Sequence, residues 1–286
     1  MAKVAVLGTG LLGAGFVENL LSKGNSVVVW NRSADKIGPL VAKGAVAAAS
    51  PAEAVSGVDR VHIVLAEDSA VDSVLDAARP GFAADALILD HSTNRPDRVA
   101  ARYADLRAQG LRYLHAPVFM GPANAREGSG LMLLAGPADE AAALEPILAT
   151  MTGKVWHVGE RPDLAAAHKL FGNGFLIATT GLMGDLLSMG GAMGLAPNEV
   201  LALFDVFKPG NGIQFFGGRA AKKGVGPASF ELNMARKDVR LMLEMAGGPQ
   251  DLVVLPGVAA AMDQAIAEGH GAADFAVYAW PRGRKS

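Results

Sequence analysis

The first half of the chain alternates short apolar runs with amphipathic stretches. Lys3–Leu7, Ser26–Trp30, Val61–Leu65 and Leu87–Leu89 are rich in Val, Ile and Leu and are bounded by Gly, Asn, Asp or Ser. That is the pattern of strands buried on both faces of a parallel sheet. Helical periodicity fills the intervals at Leu11–Ser22, Ala34–Ala42, Pro51–Ser56 and Ser69–Ala78. A later pair of strand runs, Tyr113–Ala116 and Lys154–His157, flanks the helical stretch Glu140–Met151. Strand–helix alternation of this kind predicts a doubly wound α/β sheet. From about Pro162 the strand signals stop. Asp163–Gly194 reads as one long apolar helix, Pro197-Asn198-Glu199 opens another, and Glu231–Met245 and Val258–Glu268 continue the pattern. The expected organisation is an α/β domain over residues 1–161 and an all-helical domain over 162–286, with reaction in the cleft between them.

Composition narrows the chemistry. The 286 residues are 51% hydrophobic and 19% charged with formal net charge −2, which suits two folded domains and excludes disorder. So balanced a charge argues against a nucleic-acid partner, and the basic tail at Arg282, Arg284 and Lys285 reads as a solvated terminus. Cysteine is absent, which removes disulfides, thiolate nucleophiles and cysteine-held metals. The six histidines form neither HxxxH nor HExxH, so no metal site is expected. Glu18 and the early glycines argue against an export signal, and Asn173, Asp185 and Glu199 make Phe171–Leu203 a buried helix rather than a membrane span. A cytoplasmic protein is expected. Glycine is abundant at 35 residues, and Gly174, Gly181, Gly184, Gly190, Gly191 and Gly194 stud the long helix. Each costs about 0.8–1 kcal/mol relative to alanine, so close packing is implied. Helix–helix contacts within the domain would account for it, but a subunit interface is slightly favoured, giving a homodimer or homotetramer.

Gly8-Thr9-Gly10-Leu11-Leu12-Gly13 directly follows the first strand and opens the first helix. Gly8 permits the tight turn, Gly10 lets a pyrophosphate approach the backbone, and Gly13 lets helix pack on strand, the mechanics of a Rossmann dinucleotide site. The helix N-terminus offers free N–H groups and positive potential to the phosphates. About 20 residues on, where NAD sites usually carry a carboxylate for the ribose 2′-hydroxyl, stand Asn31, Arg32 and Ser33. A guanidinium with two neutral hydrogen-bonding neighbours suits a 2′-phosphate, favouring NADP with NAD possible. Leu65 and Ala66, where the third strand run ends, are assigned to the same cofactor.

With these residues in view the chain resembles the β-hydroxyacid dehydrogenase family, which includes 3-hydroxyisobutyrate dehydrogenase, tartronate semialdehyde reductase and 6-phosphogluconate dehydrogenase. The resemblance spans essentially the whole chain. It rests on the Gly8–Gly13 loop, Asp90-His91-Ser92-Thr93-Asn94-Arg95-Pro96 (similar to DxSTxxP), Ala116-Pro117-Val118, and Lys169-Leu170-Phe171-Gly172-Asn173 (similar to KxxxN), in that order, with Lys237-Asp238 as a late KD pair. The residues themselves agree. Hydride transfer to a carbonyl creates an alkoxide that needs a proton donor. Lys169 sits in an apolar stretch, where desolvation lowers a lysine pKa, and Asn173 follows one turn later on the same helix face. One can carry the proton while the other holds the substrate. The resemblance further implies that Ser92 contacts substrate, that Thr93 lies near the nicotinamide and that Lys237 reaches the cofactor or substrate from the second domain.

One segment departs from the family. After Val118 the family continues Ser-Gly-Gly, which cradles the substrate carboxylate; here Phe119, Met120, Gly121 and Pro122 follow. The pocket lined by Phe119, Met120 and Gly121 is therefore reshaped for a larger or more apolar substrate, or one that carries its acid differently. His115 replaces a common Asp and reads as a surface histidine or one supporting the site from behind. The leading expectation is an NADP-dependent 3-hydroxy acid dehydrogenase or semialdehyde reductase acting on a small molecule. An imine reductase shares the fold but generally carries Asp or Tyr instead of the lysine. A non-catalytic NADP-binding scaffold is the rival from outside enzymology, and Lys169, Asn173 and Ser92 together argue against it.

Overall fold

The computed structural model describes residues 2–280; the basic tail at Arg282, Arg284 and Lys285 lies outside the described residues. Among the described residues nine strands form one sheet: β1 Lys3–Leu7, β2 Ser26–Trp30, β3 Val46–Ala47, β4 Arg60–Ile63, β5 Leu87–Asp90, β6 Arg112–His115, β7 Val118–Phe119, β8 Leu131–Ala135 and β9 Lys154–Gly159. The helices between them are α1 Leu11–Ser22, α2 Gly38–Val41, α3 Pro51–Val55, α4 Asp68–Ala78, α5 Pro96–Ala108, α6 Pro122–Glu127 and α7 Ala138–Leu148. Beyond the sheet run α8 Leu164–Ala192, α9 Pro197–Leu201, α10 Leu203–Val206, α11 Ile213–Ala221, α12 Leu232–Met245 and α13 Leu255–Ala265. The expected α/β sheet followed by helices is what forms.

Strand order is β3-β2-β1-β4-β5-β6-β8-β7, with β9 on β8. The first six strands are parallel; β8 runs antiparallel to β6 and β7. Order reverses between β1 and β4, which is where open α/β sheets bind ligands at their carboxyl edge. Registry makes that edge flush, because Leu7 pairs with both Trp30 and Ile63. Alternation along β1 divides the core. Val4 and Val6 pack with Phe16, Val17 and Leu20 on one face, and Ala5 and Leu7 with Val61, Ile63, Val71 and Leu75 on the other.

Packing separates one unit ending at Asn173 from a second beginning at Gly174. The division falls inside α8, C-terminal to the boundary expected near Arg161. Ala165 and Ala166 at the start of α8 are fully buried in the sheet's clusters, so the first turns of the helix belong to the first unit. The second unit has its own small cores, one around Leu232, Val239, Ala259 and Met262 and one around Met189, Leu252 and Leu255.

Phe171–Leu203 is not the buried helix expected. Phe171, Phe175, Leu176 and Ile177 are exposed, and α8 is long and apolar enough by length and composition to cross a membrane. Apolar residues run round the helix, so no single contact surface can cover them all. Of its glycines, Gly181 abuts Val253 and Val254 and Gly190 abuts Val200, whereas Gly174, Gly184 and Gly191 face open space.

Candidate active site

The glycine loop leaves β1 with Gly8 at φ +101°, a left-handed conformation, and a Cβ there would run into Val64 O. A Cβ at Gly13 would strike Gly8 O, so α1 lies directly on the turn. Gly10, the N-cap of α1, has nothing within 4 Å of where a Cβ would stand, and no side chain caps the first turn. The result is an open approach to uncapped N–H groups. Thr9 is tied down: its N–H donates to Asn31 Oδ1 at 3.0 Å, and Asn31 Nδ2 donates to Ser33 O at 2.9 Å. Asn31 thus braces the loop against the end of β2.

Beside the loop lies a groove of about 410 Å³. Gly8, Gly10, Asn31, Arg32, Ser33, Leu65 and Ala66 line it, as expected from sequence, together with Lys36 and Glu67, which sequence reasoning missed. Lys36 closes a 3-10 turn after Ser33 and puts a second cation beside Arg32. Of the remaining loop residues, Leu11 is exposed at the helix start, Leu12 packs on the core and Thr9 is buried with Oγ1 unpartnered.

At the end of β5, Ser92 is buried, its Oγ accepting from Leu65 N at 3.0 Å, and its N–H donates to Asp90 Oδ1. Thr93 is exposed. Asn94 is 2% exposed with neither amide atom hydrogen-bonded, an orphan that sequence reading passed over. A buried group left unpaired costs roughly 1–3 kcal/mol. Orphaned Thr9 Oγ1 and Asn94, the open Gly10 and the paired cations fit a dinucleotide at this edge.

Behind the strand ends runs a chain of buried hydrogen bonds. Arg60 Nε donates to His62 Nε2 at 3.1 Å, His62 Nδ1 meets His91 Nε2 at 2.8 Å, and His91 Nδ1 meets Ala116 O at 2.6 Å. Arg60 has no acceptor, so each ring must accept at Nε2 and donate at Nδ1, and the chain has one direction. Burial pushes His91 down to about 4 and His62 well below its ordinary value, so both rings are neutral. His115 is not a surface residue: it is 1% exposed and its Nε2 meets Ser92 O at 3.0 Å, beneath the Ser92 turn.

Val118 follows two residues after Ala116, and its carbonyl accepts from Lys169 Nζ at 2.7 Å. The Lys169 ammonium also stands 4.2 Å from the centre of the Phe119 ring. Burial lowers its pKa, and among the described residues it forms no salt bridge. Asn173 is partly exposed one turn on in α8. Phe119 and Met120 are partly buried, and the Gly121 N–H is already taken by Asn124 Oδ1 at 3.0 Å, capping α6. With Pro122 next, the segment has lost donors that a carboxylate cradle needs. Lys237 lies in α12 of the second unit, paired with Asp238 at 3.0 Å. No cluster of metal-ligating side chains occurs among the described residues.

Comparison with known proteins agrees with a dinucleotide-binding sheet. Residues 3–159 match the NAD binding domain of 6-phosphogluconate dehydrogenase. The chain is 30% identical to 3-sulfolactaldehyde reductase of Escherichia coli (strain K12), over 96% of this chain and 94% of the relative. It is 29% identical to the chloroplastic glyoxylate/succinic semialdehyde reductase 2 of Arabidopsis thaliana, over 85% of this chain and 68% of that one. Among solved structures an imine reductase of Streptomyces aurantiacus superposes with TM-score 0.85 at 23% identity, covering 96% of this chain and 98% of the other, a likeness of fold. The chain belongs to the β-hydroxyacid dehydrogenase family. It is an oxidoreductase that uses a nicotinamide cofactor and acts on a CH–OH or carbonyl group.

Proposed function

We propose that the protein interconverts a semialdehyde or related ketone with its 3-hydroxy acid, using NADP, with Lys169 as proton carrier. The observation that carries this is the state of Lys169: partly buried, lowered in pKa by that burial, in no ion pair among the described residues and one turn from Asn173. The nicotinamide, when bound, supplies or accepts the hydride. Lys169 gives a proton to the oxygen that gains charge during reduction and takes it back during oxidation. Asn173 holds that oxygen in reach. Ser92 and Thr93 orient the substrate and the reacting end of the cofactor. Arg32, Ser33 and Lys36 around the groove favour the 2′-phosphate, with NAD as the lesser alternative. The names of the relatives, reductases of 3-sulfolactaldehyde and of glyoxylate and succinic semialdehyde, support the substrate class.

A second reading, imine reduction, draws support from the occupied Gly121 N–H and the apolar Phe119, which disfavour an acid group there. The exposed apolar residues of α8, α10 and α11 support a homodimer or homotetramer formed through the helices. A cytoplasmic setting without membrane or nucleic-acid partners completes the proposal.

The test is Lys169→Ala, assayed with semialdehydes, 3-hydroxy acids and cyclic imines against both cofactors. Turnover is expected to fall about 10²–10⁴-fold while NADPH still binds. Full activity in that variant overturns the role of Lys169. A preference for imines or for NAD overturns the substrate or cofactor assignment.

A further inference from the structure

We infer that Phe119 is a positioning residue for Lys169, and that position 172 is glycine to seat the Phe119 ring. The inference rests on Lys169 being the proton carrier, but its geometry is independent of that reading. Val118 and Phe119 are the two residues of β7, and both are anchored by pairing with β8, Val118 opposite Met132 and Phe119 opposite Leu131. They meet one ammonium by different means. The Val118 carbonyl accepts its hydrogen bond at 2.7 Å, and the Phe119 ring offers its π face, 4.2 Å from centre to Nζ. A desolvated cation without a counter-ion is costly, and the ring quadrupole supplies part of what water would. No salt bridge of the described residues involves Lys169. The neighbouring His168 is engaged elsewhere, with Leu164 O and the rings of Trp156 and Phe171.

Gly172 completes the arrangement. It lies three residues beyond Lys169 on α8, and so on the same face. A Cβ there would collide with Cζ of the Phe119 ring and lie 2.6 Å from its Cε1. Any other residue at 172 would displace the ring from under the ammonium. A glycine in mid-helix, which lowers helix stability, thereby acquires a reason local to the lysine. The large aromatic at 119 and the missing side chain at 172 are two halves of one fit.

The experiment uses the whole chain with isotopically labelled lysine, examined by NMR without cofactor, alongside steady-state kinetics. The Lys169 signal is identified by its disappearance in Lys169→Ala. Its ε-methylene protons are expected upfield of those of the other lysines, because they lie over a ring face. Phe119→Leu returns them to the common position, Phe119→Tyr retains the shift, and Gly172→Ala diminishes it. In kinetics, Phe119→Leu and Gly172→Ala each lower kcat by roughly 3- to 10-fold, with little change in KM for the cofactor, and Phe119→Tyr recovers most of that loss. Adding Gly172→Ala to Phe119→Leu costs nothing more, since the ring is already gone. An unshifted Lys169 signal in the native protein, or full additivity of the two substitutions, overturns the inference. If Lys169→Ala stays active while the ring shift is present, the proton-carrier reading falls and the contact stands. An inactive Lys169→Ala with no ring shift has the opposite meaning.

Discussion

The two units bury opposite things. In the first, Val4, Ala5, Val6 and Leu7 are consecutive and have no solvent exposure, so one strand fills both faces of the sheet. In the second, α9, α10 and α11 bury no residue at all, and Val206 is 88% exposed. Their buried polar groups differ as well. The first unit carries neutral imidazoles in a row beneath its site, beside one buried carboxylate, Asp90, which accepts from Ser92 N–H and the Tyr113 hydroxyl. The second relies on carboxylates: Asp185 collects the N–H groups of Val253, Val254 and Leu255, and Asp274 those of Ser229 and Ala276 with Arg219 beside it. A sheet satisfies its own backbone and leaves inner polar side chains available for arranging chemistry. Short helices leave their ends unpaired, and buried acceptors must tie them together.

The sharpest way to break this contrast is Asp185→Ala. Three backbone donors at the start of α13 lose one charged acceptor, and a loss of about 3–5 kcal/mol in denaturant unfolding is expected. Asp185→Asn, which keeps one acceptor, should fall between. A cost below about 1 kcal/mol would show that the carboxylate is no tie.

Acid should separate the buried imidazoles of the first unit from the carboxylate ties of the second by pH. His91 has its pKa lowered from 6.5 to about 4, chiefly by burial, so the unfolded chain takes up this proton first. The stability linked to it is complete above pH 6.5 and is lost as pH falls towards 4, by about 2–3 kcal/mol. Burial raises Asp185 and Asp274, but their N–H donors, with Arg219 at Asp274, outweigh it and hold both below 3.8. Their contribution is present above pH 3.8 and disappears only as pH drops further. Melting temperature against pH should therefore descend in two limbs, and His91→Phe should make the upper one shallower, the remainder belonging to His62 and His115, whose burial also lowers them, while leaving the lower one unchanged. A single limb below pH 4 would remove the distinction.

The smallest effect is expected on the exposed apolar face. Ile177, 72% exposed, contributes little to a single chain, so Ile177→Ser should alter the stability of an isolated protomer by less than about 0.5 kcal/mol. Sedimentation should instead reveal weakened association. Unchanged assembly in that variant would mean this part of α8 is not what copies share.

Much of the first unit was readable because local signals agreed with one another. β1, α1 and β2 occupy the residues expected, since an apolar run, a glycine loop and a second apolar run punctuate that stretch unambiguously. β8 went unread because Leu131-Met132-Leu133-Leu134-Ala135 is built from helix-favouring residues, and only its place between β6, β7 and β9 makes it a strand. The two-residue β3 and β7 carry too little pattern to detect. Ala34–Ala42 was expected as one helix, but Gly38-Pro39 divides it into a 3-10 turn and the short α2. At the site, Lys169 and the loop glycines could be named from motif and environment. The histidine chain could not. His62 and His91 are 29 residues apart and meet only because β4 and β5 pair in parallel, with Ile63 opposite Asp90. Lys36 was likewise hidden, since nothing local separates a groove cation from a solvated one.

Strand β1 has a consequence for the order in which the molecule comes apart. It is hydrogen-bonded along its length to β2 on one side and β4 on the other, and four successive residues see no water. Amide protons there cannot exchange with deuterium through fraying at an edge or through a local bulge, so they wait for the sheet as a whole to open. The slowest-exchanging amides of this protein should cluster at Val4 to Leu7, immediately before the loop that receives the cofactor. Deuterium uptake there becomes a clock for global unfolding, and its slowing on addition of a dinucleotide measures how firmly that ligand holds the sheet shut.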